Sequence, residues 1–258
     1  MKKYLLLLNK NIKSQLEYNK SMYLLIIGEF IAQFTFILSF LILFKSLGNV
    51  KGYTVNQAIF IYATVNICYT LAEMLGKGIN DLAKLVRNGT LDIYFIRPMS
   101  ILLQVMGNDF EVSRIGRLVQ SLLIFGITLF TSNIKWNLIK ISDVVLIIIA
   151  GIALFLSIYL FFGTLSFFTT KQVSISVLLM GSGSDILHYP ANALPRGIRF
   201  ILLYVLPFGC INYLPFKYIL GFTNNWLYCL TPCICFIFFG LVLLFWRYAL
   251  SEYSSTGS

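Results

Sequence analysis

Few side chains in this sequence could carry covalent or acid–base chemistry. The single histidine, His188, stands beside a tyrosine and a proline in HYPANALPRG, which favours a turn residue over a metal ligand or a base. The five cysteines lie in apolar surroundings without the spacing of a metal site, which favours a role as small apolar packing residues. No Ser/His or His/Asp cluster is present for nucleophilic or acid–base catalysis. We therefore predict that this chain has no catalytic residue, no metal site and no enzymatic activity.

A P-loop for ATP is also missing from the sequence. The pattern G-x-x-x-x-G-K-[ST] does not occur, and Gly76-Lys77-Gly78 has neither a following hydroxyl nor a preceding glycine at the right distance. Any ATP that drives this protein must therefore be bound by another chain.

Polar side chains inside apolar runs are candidates for function, because placing them in a membrane is costly. Glu29 and Gln33 are four residues apart and share one helix face, where they either hydrogen-bond a neighbouring helix or face a transported molecule. Glu73 lies near the end of the second apolar run. This position favours a contact with lipid headgroups or with the following loop over a contact with a transported molecule. Asp185 follows a Gly-Ser run and either faces a polar cavity or caps a short outer helix. Glu29, Gln33 and Asp185 are our candidates for a translocation path.

The charged stretch RNGTLDIYFIRPMS, residues 87–100, is a second candidate for a functional region, as a contact site for a partner protein. The preceding residues, 78–87, predict a short amphipathic helix, which Asn88-Gly89 ends through a left-handed C-cap. The apolar face of that helix consists of Ile79, Leu82 and Val86. Pro98 disfavours helical geometry at Arg97. The pattern predicts a rigid projection that could pass force from a partner, and an ordinary solvated loop is the alternative.

The elements that must position these residues are membrane helices. Hydrophobic residues make up 58% of the chain, charged residues only 12%, and the mean hydropathy is +0.82, far from the usage of a soluble domain. Regions long enough for a crossing of about 20 residues recur six times, at 22–44, 55–75, 111–131, 143–168, 173–220 with interruptions, and 226–246. We therefore predict an all-α integral membrane protein, with one transmembrane domain over residues 1–258 and six crossings.

Three regions complete this predicted topology. Residues 1–21 predict an interfacial amphipathic helix with Asn11 on its polar side, or alternatively a helix packed on a soluble partner. Residues 187–220 predict an external, broken or re-entrant region, because prolines interrupt the apolar run. Most Lys and Arg residues fall on one side when the termini are placed in the cytoplasm, which makes residues 76–108 a cytoplasmic loop. The net charge of +10 thus reflects topology and does not indicate nucleic acid binding.

R-N-G-T-L-D-I-Y-F-I-R-P-M-S resembles the R-x-G-x-L-(x)4-L-x-R-P segment of the membrane subunits of type-2 ABC exporters, in the six-helix branch related to antibiotic-resistance exporters. The ending Y-S-S-T-G-S is similar to the Y-S-S-x-G-G ending of that branch. The resemblance implies that the loop after the second helix docks into a groove of a separate ATPase subunit. The ATPase-coupling residues that it implies are Asp81, Leu82, Lys84, Leu85, Arg87, Gly89, Asp92, Arg97 and Pro98.

The same resemblance implies the partners and the location. Two ABC ATPase subunits would bind ATP and Mg²⁺, this chain would bind no cofactor, and a second permease, identical or paralogous, would complete the path through the cell membrane. The mostly aliphatic and aromatic helices favour an amphiphilic cargo such as a drug, a lipid or a hydrophobic peptide. An ion-coupled secondary carrier is the alternative function, although the sequence shows no convincing internal repeat.

Overall fold

A computed structural model describes residues 2–17, 19–47, 52–169, 197 and 206–253, and these residues are helical almost throughout. The α-helices, numbered in chain order, are α1 (Lys2–Glu17), α2 (Asn19–Leu47), α3 (Val55–Asn80), α4 (Leu82–Arg87), α5 (Asp92–Ile96), α6 (Ile101–Asn108), α7 (Ile115–Thr131), α8 (Leu138–Thr169), α9 (Gly209–Asn212), α10 (Leu214–Ile219) and α11 (Cys233–Ser251). Short 3-10 turns, Val112–Arg114 and Trp226–Leu230, precede α7 and α11. The predicted all-α fold is confirmed.

Helix α3 lies at the centre of the described structure. It begins with a capping box, in which the Thr54 side chain accepts from the Gln57 backbone N–H and the Gln57 side chain accepts from the Thr54 N–H. Most of its length is buried, mainly between α7 and α8. The approach of α8 requires Gly151, because a Cβ there would lie 2.6 Å from the sulfur of Cys68. This packing fixes the position of the segment that follows α3.

The described residues contain five stretches that are long and apolar enough to cross a membrane: Lys20–Ser39, Val55–Arg87, Val112–Thr131, Leu138–Thr169 and Trp226–Ser251. They match the first four predicted crossings and the last one. The predicted fifth region lies largely outside the described residues, and Asp185 with it. Its described end forms the short helices α9 and α10, with Pro215 in the first turn of α10. The fifth predicted crossing, and with it the total of six, stays a prediction, as does the cytoplasmic position of the termini.

Helix α1 packs along α6. The Asn11 side chain donates to the backbone carbonyls of Gly107, at 2.9 Å, and of Asn108. Asn11, expected on the polar side of α1, is thus used in a polar contact with α6. The physical reason is that the last carbonyls of α6 have no partner within their own helix, and the Asn11 amide supplies one. Leu6, 67% exposed, lies on the open side of α1. The position of α1 in the membrane interface stays a prediction.

Candidate functional site

The candidate site begins where α3 ends. Asp81 joins α3 to α4 in a helical conformation, with φ −83° and ψ −1°, so α4 follows after a break of a single residue. The sequence predicts a separate helix from residue 78, whereas the structure continues α3 through Asn80. Gly78 belongs to a helix crossing, because a Cβ at this position would lie 1.9 Å from the carbonyl oxygen of Val105 in α6.

Two corners define the chain after α4. Gly89 has φ +65°, in the left-handed region that favours glycine, and its N–H donates to the Val86 carbonyl at 3.1 Å. The predicted left-handed end of this helix is thus confirmed. At the second corner Arg97 is extended, with φ −81° and ψ 137°, as expected for a residue before Pro98. Helix α5 lies between the two corners.

One side of this segment is buried and the other is exposed. Leu82 and Val86 are buried, so they hold α4 against the rest of the protein and are not available to a partner. The exposed side combines basic and apolar residues, which we call the basic–apolar face: Lys84, Arg87, Ile93, Phe95, Ile96, Arg97 and Pro98. Ile96 is 84% exposed. Clustered exposed apolar side chains with a polar rim are typical of a contact surface for another protein.

A cavity of about 380 Å³ opens beside this face. Its lining unites four of the predicted coupling residues with five others: Asp81, Lys84, Leu85 and Arg97 with Asn88, Thr90, Ile93, Tyr94 and Asn108. The Arg97 guanidinium lies 5.5 Å from the centre of the Tyr94 ring. The five remaining predicted residues lie in the same segment but outside this lining: Leu82, which is buried, and Arg87, Gly89, Asp92 and Pro98.

A second group of charged side chains joins α2, α3 and the start of α7. We call it the ion cluster; it consists of Glu29, Glu73, Lys77, Glu111, Arg114 and Arg117. Arg117 lies 2.9 Å from a carboxylate oxygen of Glu29 and 2.9 Å from one of Glu73. Arg114 contacts the same two carboxylates, with 3.0 Å to Glu73. Glu29 and Glu73 thus have two arginine partners each, so the cluster binds three helices together.

The ion cluster reaches the candidate coupling segment through its outer members. Arg114 lies 3.3 Å from Glu111, and Lys77, one turn before Asp81, lies 3.6 Å from Glu111. The four central side chains, on Glu29, Glu73, Arg114 and Arg117, are only 11–22% exposed. Few solvent molecules can compete with these pairs, and a movement of α3 or of the start of α7 relative to α2 would have to change them.

Polar contacts continue along the same helices beyond the ion cluster. Tyr62 donates to the Gln33 side chain at 2.9 Å, and Asn66 donates to Ser121 at 2.8 Å. Ser121 in turn donates to the Arg117 carbonyl at 2.8 Å. Glu29 and Gln33 are therefore used in contacts between helices, the first of the two alternatives that the sequence leaves open. Their place in a translocation path stays a prediction.

Asp109 connects this region with α1. Its carboxylate accepts a hydrogen bond from the Gln15 side chain at 3.3 Å. Burial raises the pKa of the Asp109 carboxyl above its ordinary value, and the nearby charge of Asp81 raises it further, while Lys77 acts in the opposite direction. Through Gln15, helix α1 therefore contacts a carboxyl group whose ionised form is disfavoured by its surroundings.

Sequence reasoning missed Arg114 and Arg117 as site residues, because it treated them only as loop charges that set the topology. The available signal was an acid in an apolar run, Glu29 or Glu73, which requires a basic partner if it is to be buried. The pair of arginines three residues apart at the start of the third apolar run was the nearest candidate. The exposed apolar residues of α5 were missed too, because in a mostly apolar sequence an apolar residue does not stand out as part of a contact surface.

The chain matches the model of a known protein family over most of its length. The family described as ABC-2 family transporter protein matches residues 30–257, which is most of the chain. Neither a curated protein nor a solved structure matches the chain significantly.

Proposed function

The chain belongs to the ABC-2 family of transporter proteins, and from that premise we propose that it is the permease subunit of an ATP-driven exporter powered by separate ATPase subunits. Its family and its apolar helices make it a multi-pass membrane protein and a transport component. The single observation that carries the proposal is the family match over residues 30–257. The finer assignments below are supported by the geometry of the candidate site.

We assign the contact with the ATPase to the basic–apolar face of α4 and α5. Arg87 and Arg97 offer charges, while Ile96, at 84% exposure, offers an apolar anchor. The two corners at Gly89 and Pro98 fix the direction of α5 between them. A short helix held at both ends moves as a unit, which is what the transmission of force requires. ATP and Mg²⁺ would both be bound by the two partner ATPase subunits.

The exposed side of α2 supports a second permease or lipid as the neighbour of this helix. Leu24, Ile31 and Leu38 are 57–71% exposed, and little of the apolar part of α2 is buried within the chain. Two such chains, identical or paralogous, would enclose the path. The abundance of aliphatic and aromatic side chains favours an amphiphilic cargo.

The mechanism follows from the connection between the two groups of residues. ATP binding draws the two ATPase subunits together and displaces α4 and α5. The displacement reaches α2, α3 and α7 through Lys77, Glu111 and the arginines of the ion cluster. The helices then rearrange and open the path toward the outside. The chain supplies shape and mechanical connection, and the partner supplies the chemistry.

Affinity purification of the tagged full-length chain, followed by identification of the co-purified proteins, tests the proposal. We expect a separate ABC ATPase, and no ATP hydrolysis by the isolated chain. In a background without the native cysteines, Arg87→Cys should crosslink to the ATPase. Phe130→Cys, 88% exposed at the far end of α7, is the control and should not. Robust hydrolysis by the isolated chain contradicts the proposal. Cargo movement driven by an ion gradient alone would instead support the secondary carrier.

A further inference from the structure

The chain beyond α11 returns to the segment that carries α5. Tyr253, two residues after α11 ends at Ser251, donates a hydrogen bond from its hydroxyl to Asp92 Oδ1 at 3.0 Å. Its ring stacks on Phe95, with centroids 5.7 Å apart and planes inclined by 6°. Asp92 and Phe95 both belong to α5. A single side chain thus holds this helix by a polar and an aromatic contact.

The same tyrosine also contacts α8. Its ring meets Phe167 edge-on, with centroids 5.5 Å apart and an angle of 74°. Phe167 in turn packs against Trp246 of α11, at 5.4 Å, and Trp246 is only 3% exposed. A continuous series of aromatic contacts therefore connects α5 with the ends of two helices long enough to span the membrane.

Helix α5 depends on such contacts, because a helix of five residues is not stable on its own. On one side the Gln104 side chain of α6 donates to the Tyr94 carbonyl at 2.9 Å. Tyr253 provides the contact from the residues that follow α11. Burial and the Asp92 carboxylate raise the pKa of Tyr253 to about 12, so the hydroxyl remains a hydrogen-bond donor at physiological pH.

We propose that Tyr253 is a positioning residue that ties α5 to α8 and α11, so that a displacement of the basic–apolar face is passed to these two helices. This route is separate from the ion cluster, which connects α2, α3 and α7. The inference rests on the proposed function for its meaning in transport, whereas the contact itself can be tested on the permease alone.

Hydrogen–deuterium exchange of the full-length chain in lipid nanodiscs tests the contact. Tyr253→Leu removes the hydrogen bond and the stacking, and we expect exchange of the α5 amides to accelerate about tenfold or more. Tyr253→Phe keeps the stacking, so its acceleration should be about fivefold. Tyr248→Leu is the matched control, since this tyrosine lies on α11, five residues before Tyr253, and is 57% exposed; it should leave the exchange of the α5 amides unchanged. Unchanged α5 exchange in Tyr253→Leu overturns the inference.

The role in coupling is read from the assembled complex with its ATPase, as cargo exported per ATP hydrolysed. Tyr253→Leu should lower this ratio while the KM for ATP stays the same, and Tyr253→Phe should restore most of it. Faster exchange with an unchanged ratio means that Tyr253 is only structural and overturns the coupling role. If the wild-type chain binds no ATPase, the proposed function fails and the coupling role with it, while the exchange result still decides whether Tyr253 holds α5.

Discussion

Removing Arg117 from the ion cluster should destabilise the protein more than removing an exposed surface charge. The Arg117 guanidinium lies 2.9 Å from both Glu29 and Glu73, and its side chain is 13% exposed. Removing one member of a buried pair costs about 3–5 kcal/mol, because the remaining charge stays buried. Arg114 still contacts both carboxylates, so we reduce this figure for Arg117→Gln to about 2 kcal/mol. For a chain of this size that corresponds to a fall of about 4–8 °C in Tm.

A double-mutant cycle with Glu73→Gln separates this reasoning from a general loss of packing. Among the described residues the ion cluster contains three acids and three bases. Each single variant leaves one uncompensated charge, whereas the double variant restores the balance. The double variant should therefore lose about 1–2 kcal/mol less than the sum of the single ones.

Thermal unfolding in nanodiscs, followed by tryptophan fluorescence, measures these differences. Arg247→Gln is the matched control, since Arg247 is exposed near the end of α11, and a surface charge contributes only about 0–1 kcal/mol. Strictly additive single and double variants refute the reasoning. So does an Arg117→Gln variant whose Tm equals that of Arg247→Gln.

The remaining predictions concern glycines and one carboxyl group. Gly89→Val should abolish cargo-dependent export at normal membrane abundance, because a β-branched residue resists the φ of +65°; export and ATPase pull-down measure it. Gly116→Ala should lower Tm by several degrees. The added Cβ would lie 1.9 Å from the Ile26 carbonyl oxygen and should push α7 away from α2. Asp109→Asn should raise Tm at pH 7–8, and the gain should disappear at low pH. The sign follows because the folded-state pKa is raised: the native state binds the proton more tightly, so stability falls as pH rises from the ordinary pKa of about 3.9 through the raised value.

Each of these variants has a control or an outcome that contradicts it. Gly89→Asn should retain much of the export, since asparagine tolerates the left-handed region, and normal export by Gly89→Val would disprove the role of this corner. Gly126→Ala lies on α7 with no atom within 4 Å of the added Cβ, so it should not lower Tm; equal losses at both positions exclude the packing argument. A Tm gain for Asp109→Asn that persists below pH 4 rules out the ionised carboxylate as its cause.

The sequence predicts features of this protein that depend on near neighbours in the chain. Composition identifies membrane helices, and the apolar runs locate five of them, although the second stretch extends from the predicted end at residue 75 to Arg87. Gly89 and Pro98 indicate the two corners around α5, because φ preferences and the steric effect of proline act over one or two residues. Ile79, Leu82 and Val86 are all buried, as their helical spacing predicts, although Ile79 belongs to α3 and the other two to α4; helical periodicity is also local.

Only the tertiary structure decides which side chains meet across long separations. Arg114 and Glu29 are 85 residues apart, and Tyr253 and Asp92 are 161 apart. Periodicity shows that a helix has an apolar face, but in a chain where most faces are apolar it does not identify the neighbour. For the same reason the sequence does not show that the Asn11 side chain meets the end of α6. A buried charge demands a partner, yet any of several arginines could provide it, and the packing of α2, α3 and α7 around small residues such as Gly116 selects the pair that forms.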